Sequence, residues 1–255
     1  MIETDNLSRA YGNRTALYPL TIRVAPGEIL GFLGPNGAGK STTVKLLTGM
    51  IKPSGGHARV AGFDVETDPI EVKRRIGYVP ESAALYESLT AREFLDVIAS
   101  LYHEPAAGAG QRIDELLDRF GLAASKDQRL SEFSKGMKQK VLIASALMHR
   151  PEVVFLDEPL TGLDANAALV VKELLRSLAA QGRTIFFCSH VLEVVERVCS
   201  RIIIINGGRA IADGTPRSIA EQSGARTLEE AFAHLTGVRD AGQVTSDFLS
   251  ALERV

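Results

Sequence analysis

The nine-residue segment GPNGAGKST constrains what this chain can fold into more than any other feature. It matches the pattern G-x-x-x-x-G-K-[ST], follows the apolar run Glu28 to Leu33, which favours a strand, and precedes the helical stretch Thr43 to Met50. Glycines in such a turn let backbone N–H groups converge on phosphate oxygens, and the next helix points its positive dipole end at them. The segment predicts a phosphate-binding loop made of Gly34, Pro35, Asn36, Gly37, Ala38, Gly39, Lys40, Ser41 and Thr42.

Two side chains of this loop have defined chemical tasks. In this pattern the lysine reaches the β- and γ-phosphates of a nucleotide, and the hydroxyl that follows it ligates Mg²⁺. We therefore expect Lys40 to bind phosphate and Ser41 to bind the metal ion.

A pair of carboxylates follows a second apolar run. Val153 to Leu156 ends in Asp157 and Glu158, which places both at the C-terminal edge of a strand, where open α/β sheets bind ligands. Asp157 would hold Mg²⁺ through water, and Glu158 would polarise an attacking water. The alternative is an ordinary acidic turn before Pro159.

The distribution of apolar residues predicts the α/β class. Short apolar runs rich in β-branched residues alternate with stretches of helical periodicity, as in a mainly parallel sheet covered by helices. The strands predicted for this central sheet are Glu28 to Leu33, Ile76 to Val79, Val153 to Leu156, Thr184 to Ser189 and Arg201 to Ile205. Ile2 to Leu7, Leu20 to Val24 and His57 to Val65 alternate more, which predicts an antiparallel β portion beside it.

Strand signals vanish between Tyr86 and Arg150, which predicts an inserted helical lobe. Within it, the Pro/Ala/Gly-rich segment Glu104 to Gly110 predicts a flexible loop. The fold class is thus a P-loop NTPase with a mainly parallel central sheet, an antiparallel β portion and an inserted helical lobe. Residues 1–235 would form this domain with the lobe at about 86–150, and residues 236–255 a short helical extension that includes a helix over Phe248 to Val255.

Composition narrows the setting. With 255 residues, 45% of them apolar, the chain can bury the core of one large domain. Its 29 basic and 31 acidic residues give a net charge of −2, which does not favour nucleic acid. The two cysteines, Cys188 and Cys199, lie in apolar settings that suit buried thiols in a reducing compartment. Neither a secretory leader nor an apolar run of about 20 residues occurs, so a membrane location would need another component as anchor.

With these motifs in place, the chain resembles the nucleotide-binding subunit of ATP-binding cassette (ABC) transporters over about 230 residues. The family's signature, roughly L-S-G-G-Q, stands before the helix Val141 to Met148 as F-S-K-G-M. Ser134 and Gly136 match, whereas Lys135 and Met137 depart from it. Ser134 is a good N-cap, and the resemblance implies that this helix start contacts ATP bound by a partner subunit. The alternative is a plain capped surface helix.

The resemblance assigns four further residues. Tyr11 stands where the family stacks an aromatic ring on adenine, Asp164 in the loop that links the two sites of a dimer, and His190 where a histidine contacts the γ-phosphate. Tyr11 has an alternative role in packing, and Asp164 is also a good N-cap for the helix Ala165 to Ala180. Glu81 replaces the family's usual glutamine and remains a plausible oxygen ligand for Mg²⁺.

Taken as a whole, the resemblance implies an ATP- and Mg²⁺-dependent ATPase. It would work as a homodimer or heterodimer on the cytoplasmic face of a membrane, beside a separate integral membrane permease, and Glu81, the S-K-G-M-K-Q segment and the C-terminal T-L-E-E-A-F-A-H-L-T-G segment favour an exporter. Two alternatives stay open: a soluble ABC ATPase acting on ribosomes or nucleic acid, and a non-hydrolysing regulatory subunit. The resemblance implies that the permease, and not this chain, would select the transported substrate.

Overall fold

The computed structural model describes residues 1–82, 85–237 and 252, and this part of the chain holds eleven strands and nine α-helices. The strands are β1 (Ile2–Tyr11), β2 (Arg14–Leu20), β3 (Arg23–Val24), β4 (Ile29–Leu33), β5 (Gly55–Val60), β6 (Phe63–Asp64), β7 (Ile76–Val79), β8 (Val153–Asp157), β9 (Thr184–Cys188), β10 (Arg201–Asn206) and β11 (Arg209–Gly214). The helices are α1 (Lys40–Leu47), α2 (Pro69–Arg75), α3 (Ala91–Leu101), α4 (Ala106–Arg119), α5 (Lys135–Leu147), α6 (Ala165–Ala180), α7 (Leu192–Val198), α8 (Pro216–Gln222) and α9 (Leu228–Thr236).

A six-stranded sheet forms the centre of the molecule. Its order is β11-β10-β4-β9-β8-β7, and every neighbouring pair is parallel except β10 and β11. The five predicted central strands all lie in it. The antiparallel strand β11 was not predicted. Since β4, β7, β8 and β9 run in the same direction, their carboxyl ends meet at one edge of the sheet, where open α/β sheets bind ligands.

Both faces of the central parallel strands β4, β8 and β9 are buried, which explains their continuous apolar runs. Along β8, Val154 and Leu156 belong to a core shared with α3 to α6, whereas Val153 and Phe155 belong to a core shared with α1 and the antiparallel sheet. Phe155 and Phe32 each contact Phe186 in this second core, with ring centroids 5.5 and 5.1 Å apart. Strands buried on both sides hold the residues at their ends in fixed positions.

The antiparallel portion is a second sheet of order β2-β1-β5-β6, with β3 paired to β1. Two of the predicted strand bounds were wrong here. The expected strand Leu20 to Val24 is interrupted between β2 and β3, and His57 to Val65 is interrupted after Val60. At the second break Ala61 and Gly62 take φ values of 51° and 85°, which are left-handed and end the extended chain in a turn.

The described residues between β7 and β8 form the predicted helical lobe. It consists of α3, α4, α5 and two 3-10 turns, Ala123–Ser125 and Leu130–Glu132. The prediction of a flexible loop over Glu104 to Gly110 was wrong, since α4 begins at Ala106. Ala109, Ile113 and Leu117 recur on one helical face and are buried in the core of the lobe. Burial of that face offsets the low helix propensity of the glycines in the first turns.

Toward the C-terminus, α8 and α9 pack on each other and close the described fold. Of the expected helical extension, 236–255, only residues 236, 237 and 252 are described, so the helix predicted over Phe248 to Val255 lies outside the described residues. The division of the chain into domains stays a prediction. Cys188 and Cys199 are buried free thiols. In the part of the chain that the structure describes, every helix is too short or too polar to cross a bilayer.

Candidate active site

A cleft of about 1100 Å³ opens at the carboxyl edge of the central sheet. The ends of β4, β7, β8 and β9 and the tip of the antiparallel sheet contribute to its walls. Of the predicted site residues, it is lined by Tyr11, Gly34, Pro35, Asn36, Gly37, Gly39, Lys40, Ser41, Thr42, Glu81, Asp157, Glu158 and His190. Residues that are far apart in the sequence thus meet in one site.

The loop between β4 and α1 needs glycine for reasons inside the fold as well as for ligand access. A Cβ atom on Gly34 would lie 2.2 Å from the carbonyl oxygen of Ile205, and one on Gly39 would lie 2.7 Å from that of Ala16. Gly39 also has a φ of 111°, which only glycine adopts readily. The loop is therefore fixed between β10 and β2 before any ligand binds.

Two residues of the loop make hydrogen bonds to other backbone groups of the chain. Ala38 is buried in the second core and does not line the cleft, and its carbonyl oxygen accepts a hydrogen bond from the Gly208 N–H at 2.9 Å. The Lys40 ammonium donates to the carbonyl oxygens of Gly34 and Pro35 at 2.6 and 3.2 Å. Phosphate oxygens can replace these neutral acceptors with stronger, charge-assisted partners.

Three oxygen-bearing side chains suit a divalent cation. The Ser41 Oγ lies 3.5 Å from Oδ2 of Asp157, and Glu81 lines the same cleft. Burial, and then the nearby carboxylates of Glu81 and Glu158, raise the pKa of Asp157 to about 6, against the opposing charge of Lys40. This cluster has more negative charge than its lysine balances, and hydroxyl and carboxylate oxygens are the ligands that Mg²⁺ prefers. The residues present therefore fit a magnesium ion.

The second carboxylate of the pair, Glu158, is buried and strongly oriented. Its Oε2 accepts a hydrogen bond from the Ser189 hydroxyl at 3.2 Å, and its Oε1 accepts one from the His190 backbone N–H at 2.8 Å. The His190 ring contacts the same Oε1 through Nδ1 at 2.8 Å. Glu158 itself has a φ of 50°, a left-handed conformation that costs a non-glycine residue about 1 kcal/mol or more and is held by its surroundings. Strain of this kind is typical of functional sites.

Tyr11 lies at the rim of the cleft, at the end of β1. Its side chain is half exposed, and the Arg9 guanidinium carbon lies 4.7 Å from the centroid of its ring. A half-exposed ring on a cleft wall offers a surface for stacking a planar base.

Three predicted residues, Ser134, Gly136 and Asp164, do not line this cleft. Ser134 caps α5 by accepting from the Met137 N–H at 3.2 Å, and Asp164 caps α6 by accepting from the Ala167 N–H at 2.8 Å. The hydrogen bond from the Ala167 N–H is the main reason why the pKa of Asp164 lies below its ordinary value. A Cβ on Gly136 would lie 2.6 Å from the carbonyl oxygen of Gly162, so glycine here permits a close approach within one chain.

The sequence analysis missed other residues that contribute to this region. Ser189 was treated only as the end of a strand, yet it orients Glu158. Gln139 is buried, and its side-chain amide donates to the carbonyl oxygen of Pro159 at 3.0 Å, which joins α5 to the segment after Glu158. The cleft also includes Phe232 from α9. A polar residue next to a catalytic motif was the available signal for Ser189, and nothing in the local sequence marked Phe232.

A glycine loop before a helix that starts at its lysine, and an acidic pair at the end of a parallel strand of the same sheet, define the class of P-loop NTPases. Residues 17–161, more than half of the chain, match the family described as ABC transporter. The chain therefore belongs to the ABC transporter family.

Individual relatives agree with this family. An uncharacterized ABC transporter ATP-binding protein of Synechocystis sp. is 44% identical over 235 residues, which cover 88% of this chain and 64% of that protein. The chain thus spans less than two thirds of the length of this relative. A daunorubicin resistance ATP-binding protein of Streptomyces coeruleorubidus is 37% identical over 95% of this chain and 75% of its own length. A solved structure described as an ATP-binding subunit of an ABC transporter has a TM-score of 0.87 and 35% identity, covering 92% of this chain and 99% of its own.

Proposed function

We propose that this chain is the ATP-hydrolysing subunit of an ABC exporter and works as a dimer beside a separate membrane permease on the cytoplasmic side. The observation that carries the proposal is the meeting of Lys40, Asp157 and Glu158 in one cleft, with Ser134 and Gly136 outside it. The first three side chains supply a phosphate contact, a metal ligand and a base. The last two belong to a helix start that a second chain could use.

The nucleotide would lie along the loop from Gly34 to Thr42. Backbone N–H groups at the start of α1 and the Lys40 ammonium would bind the phosphates, and the Tyr11 ring would stack on the base. Ser41 and Asp157, with Glu81 beside them, would hold Mg²⁺, which when bound neutralises charge on the β- and γ-phosphates.

Glu158 would orient the attacking water and accept its proton, and His190 would contribute hydrogen bonding to the transferred phosphoryl group. The strand ends support these roles, since Glu158 follows β8, and Ser189 and His190 follow β9. The carboxylate is already oriented by the Ser189 hydroxyl and the His190 backbone. A base whose position is fixed before the substrate binds loses little entropy in the reaction.

The placement of α5 supports a dimer. Its exposed N-terminus, capped by Ser134, carries N–H groups without intrahelical partners and a positive dipole end, and it does not line the cleft described above. In a head-to-tail dimer it would close the nucleotide site of the other copy. The export direction is supported by the resemblance to a daunorubicin resistance protein.

A mixing experiment tests the dimer and the hydrolysis together. Lys40→Ala removes the phosphate contact of one cleft, and Ser134→Arg obstructs the helix start that would serve the other. Each variant alone should hydrolyse Mg·ATP very slowly, whereas an equimolar mixture should recover activity, because a mixed dimer contains one site with both parts intact. Wild-type activity should rise faster than in proportion to protein at low concentration.

Different results would point elsewhere. If Ser134→Arg alone keeps wild-type activity and wild type hydrolyses ATP in strict proportion to its concentration, each site is complete within one chain. If wild type binds ATP but never hydrolyses it, with or without membrane fractions, the subunit is not the ATPase that we propose.

A further inference from the structure

Tyr11 carries its own cationic partner on one face of the ring. The Arg9 guanidinium lies over that face, with its central carbon 4.7 Å from the ring centroid, while Tyr11 itself lines the nucleotide cleft and Arg9 does not. A guanidinium within about 6 Å of a ring centroid attracts the π-system and stacks on it. One face of the ring is therefore covered, and the side chain is still half exposed.

Arg9 is also held by a backbone carbonyl of the segment that follows α1. One of its Nη1 hydrogens is donated to the carbonyl oxygen of Lys52, at 2.7 Å. Its Nε is buried and has no hydrogen-bond partner among the described residues. A buried N–H that lacks an oxygen partner is costly, and contact with the electron-rich face of an aromatic ring reduces that cost.

The segment that binds Arg9 is itself fixed to β1. The Ser54 N–H donates to the Ser8 carbonyl oxygen at 2.8 Å, and the Ala10 N–H donates to the Ser54 hydroxyl at 3.1 Å. The pairing of β1 with β2 is irregular on both sides of Arg9. Irregularities of this kind redirect side chains and are common beside active sites. The chain from residue 52 to 54, which follows α1, thus connects the phosphate-loop helix to the position of the Tyr11 ring.

We infer that Arg9 is a positioning residue for base recognition: it fixes the Tyr11 ring from behind, so that the purine stacks on the opposite face. The inference rests on the proposed role of Tyr11 in binding the base. The guanidinium, the phenol ring and the purine would form three stacked layers. Arg9 would stabilise this stack in two ways, because it restricts rotation of the Tyr11 ring and polarises that ring. Arg9 would not touch the nucleotide, so its effect must depend on the base and on Tyr11.

The test compares ligands with and without a base. Binding of ATP and of inorganic tripolyphosphate, each with Mg²⁺, is measured by titration calorimetry for wild type, Arg9→Met and Arg9→Lys. Arg9→Met keeps an apolar stem and removes the guanidinium, and it should raise the Kd for ATP about two- to fivefold. The Kd for tripolyphosphate should not change, and Arg9→Lys should lie between wild type and Arg9→Met. Arg59→Met, an exposed arginine of β5 in the same sheet, is the matched control and should bind both ligands like wild type.

A double variant asks whether Arg9 acts through Tyr11. In the Tyr11→Ala background, Arg9→Met should have no further effect on the Kd for ATP. If Arg9→Met weakens tripolyphosphate as much as ATP, Arg9 only supports the phosphate loop through Lys52 and the inference is overturned. Unchanged ATP binding in Arg9→Met, with weakened binding in Tyr11→Ala, overturns the role of Arg9 alone. Unchanged ATP binding in Tyr11→Ala removes Tyr11 from the base site and the inference with it, while leaving the phosphate and metal contacts standing.

Discussion

His190 contacts one oxygen of Glu158 twice: its backbone N–H donates to Oε1 at 2.8 Å, and its ring Nδ1 lies 2.8 Å from the same atom. Glu158 is buried, whereas the His190 side chain is 70% exposed. The exposed ring of His190, which lines the cleft, is thus in contact with a buried carboxylate.

Glu158→Gln should separate binding from hydrolysis. Glutamine keeps the size of the side chain and can still accept from the His190 backbone, but it cannot take a proton from water. We expect an ATP affinity within about threefold of wild type and a loss of turnover of about 10² to 10⁴, the range for removal of a general base. Phosphate release and ATP binding are measured on the same preparations.

Glu173→Gln provides the matched control, since Glu173 is a well-exposed carboxylate on α6 whose only partner shown here is Arg176. It should leave both quantities unchanged. Near-normal turnover in Glu158→Gln would remove Glu158 from the role of base.

Gly136→Ala should destabilise the chain even without a partner subunit. The added Cβ would lie 2.6 Å from a backbone oxygen, that of Gly162, so the start of α5 and the segment before α6 would have to separate. Overpacking of this kind costs about 1 to 3 kcal/mol. Urea unfolding of the dilute, nucleotide-free protein measures it.

The comparison variant is Gly108→Ala, also in the helical lobe. Gly108 lies in α4, and outside its own helix none of the described residues has an atom within 4 Å of an added Cβ, so alanine should stabilise the protein by up to about 1 kcal/mol. Equal effects of the two substitutions would show that the close approach at Gly162 is not tight in solution.

The central sheet and the phosphate loop could be predicted from sequence because each depends on a local signal. Strands buried on both faces give uninterrupted apolar runs, and Ile76–Val79 was predicted with the bounds that the structure has. Helices α2, α7 and α8 were missed because each is only seven residues long, too short for a clear period. The same reasoning predicted a loop at Glu104 to Gly110, where packing of α4 overrides the local preference of its glycines.

In the candidate site, too, residues in local motifs could be predicted from the sequence and residues that act through long-range contacts could not. Lys40, Asp157 and Glu158 belong to short motifs and were found, whereas Ser189 and Gln139 act through contacts with residues more than 15 positions away. The strand order that makes β8 and β9 neighbours, and so brings Ser189 to Glu158, was not contained in any local pattern. The roles assigned to all the candidate site residues, Lys40, Asp157 and Glu158 included, stay predictions until variants test them.

His149 gives the folded chain a pH dependence of known sign. Its ring stacks on Tyr102 with centroids 3.6 Å apart, and its Nε2 lies 2.8 Å from the Ile76 carbonyl oxygen. Burial lowers the pKa of His149 below its ordinary value of 6.5, and the bond to Ile76 and the charge of Glu104 oppose this only partly. As the pH falls below 6.5, the unfolded chain binds a proton at this residue that the folded chain does not. The contribution of His149 to the free energy of unfolding should therefore fall as the pH decreases through this window, whereas the raised pKa of Asp157 acts in the opposite direction.

Urea unfolding between pH 8 and pH 5.5 tests this prediction. His149→Phe keeps a ring to stack on Tyr102 and removes the titrating group, so the difference in free energy of unfolding between wild type and the variant should shrink as the pH falls, with the variant less stable at pH 8. His57→Gln removes an exposed histidine and should keep the wild-type slope. A slope in His149→Phe equal to that of wild type would contradict the prediction.

Gln139 connects α5, the helix that Ser134 caps, to the segment that follows Glu158. Its buried amide donates to the Pro159 carbonyl oxygen at 3.0 Å, one residue beyond Glu158. Gln139→Met keeps the length of the side chain and leaves that carbonyl without its partner, which should lower the free energy of unfolding by about 1 to 2 kcal/mol. Turnover should fall as well, because Pro159 no longer fixes the chain after Glu158, whereas tripolyphosphate binding at the loop from Gly34 to Thr42 should not change.

Gln128→Met, at an exposed position of the same lobe, should change neither the free energy of unfolding nor turnover. A loss of stability with normal turnover would mean that Gln139 supports the fold alone, and that the position of Glu158 depends on its bonds to Ser189 and His190.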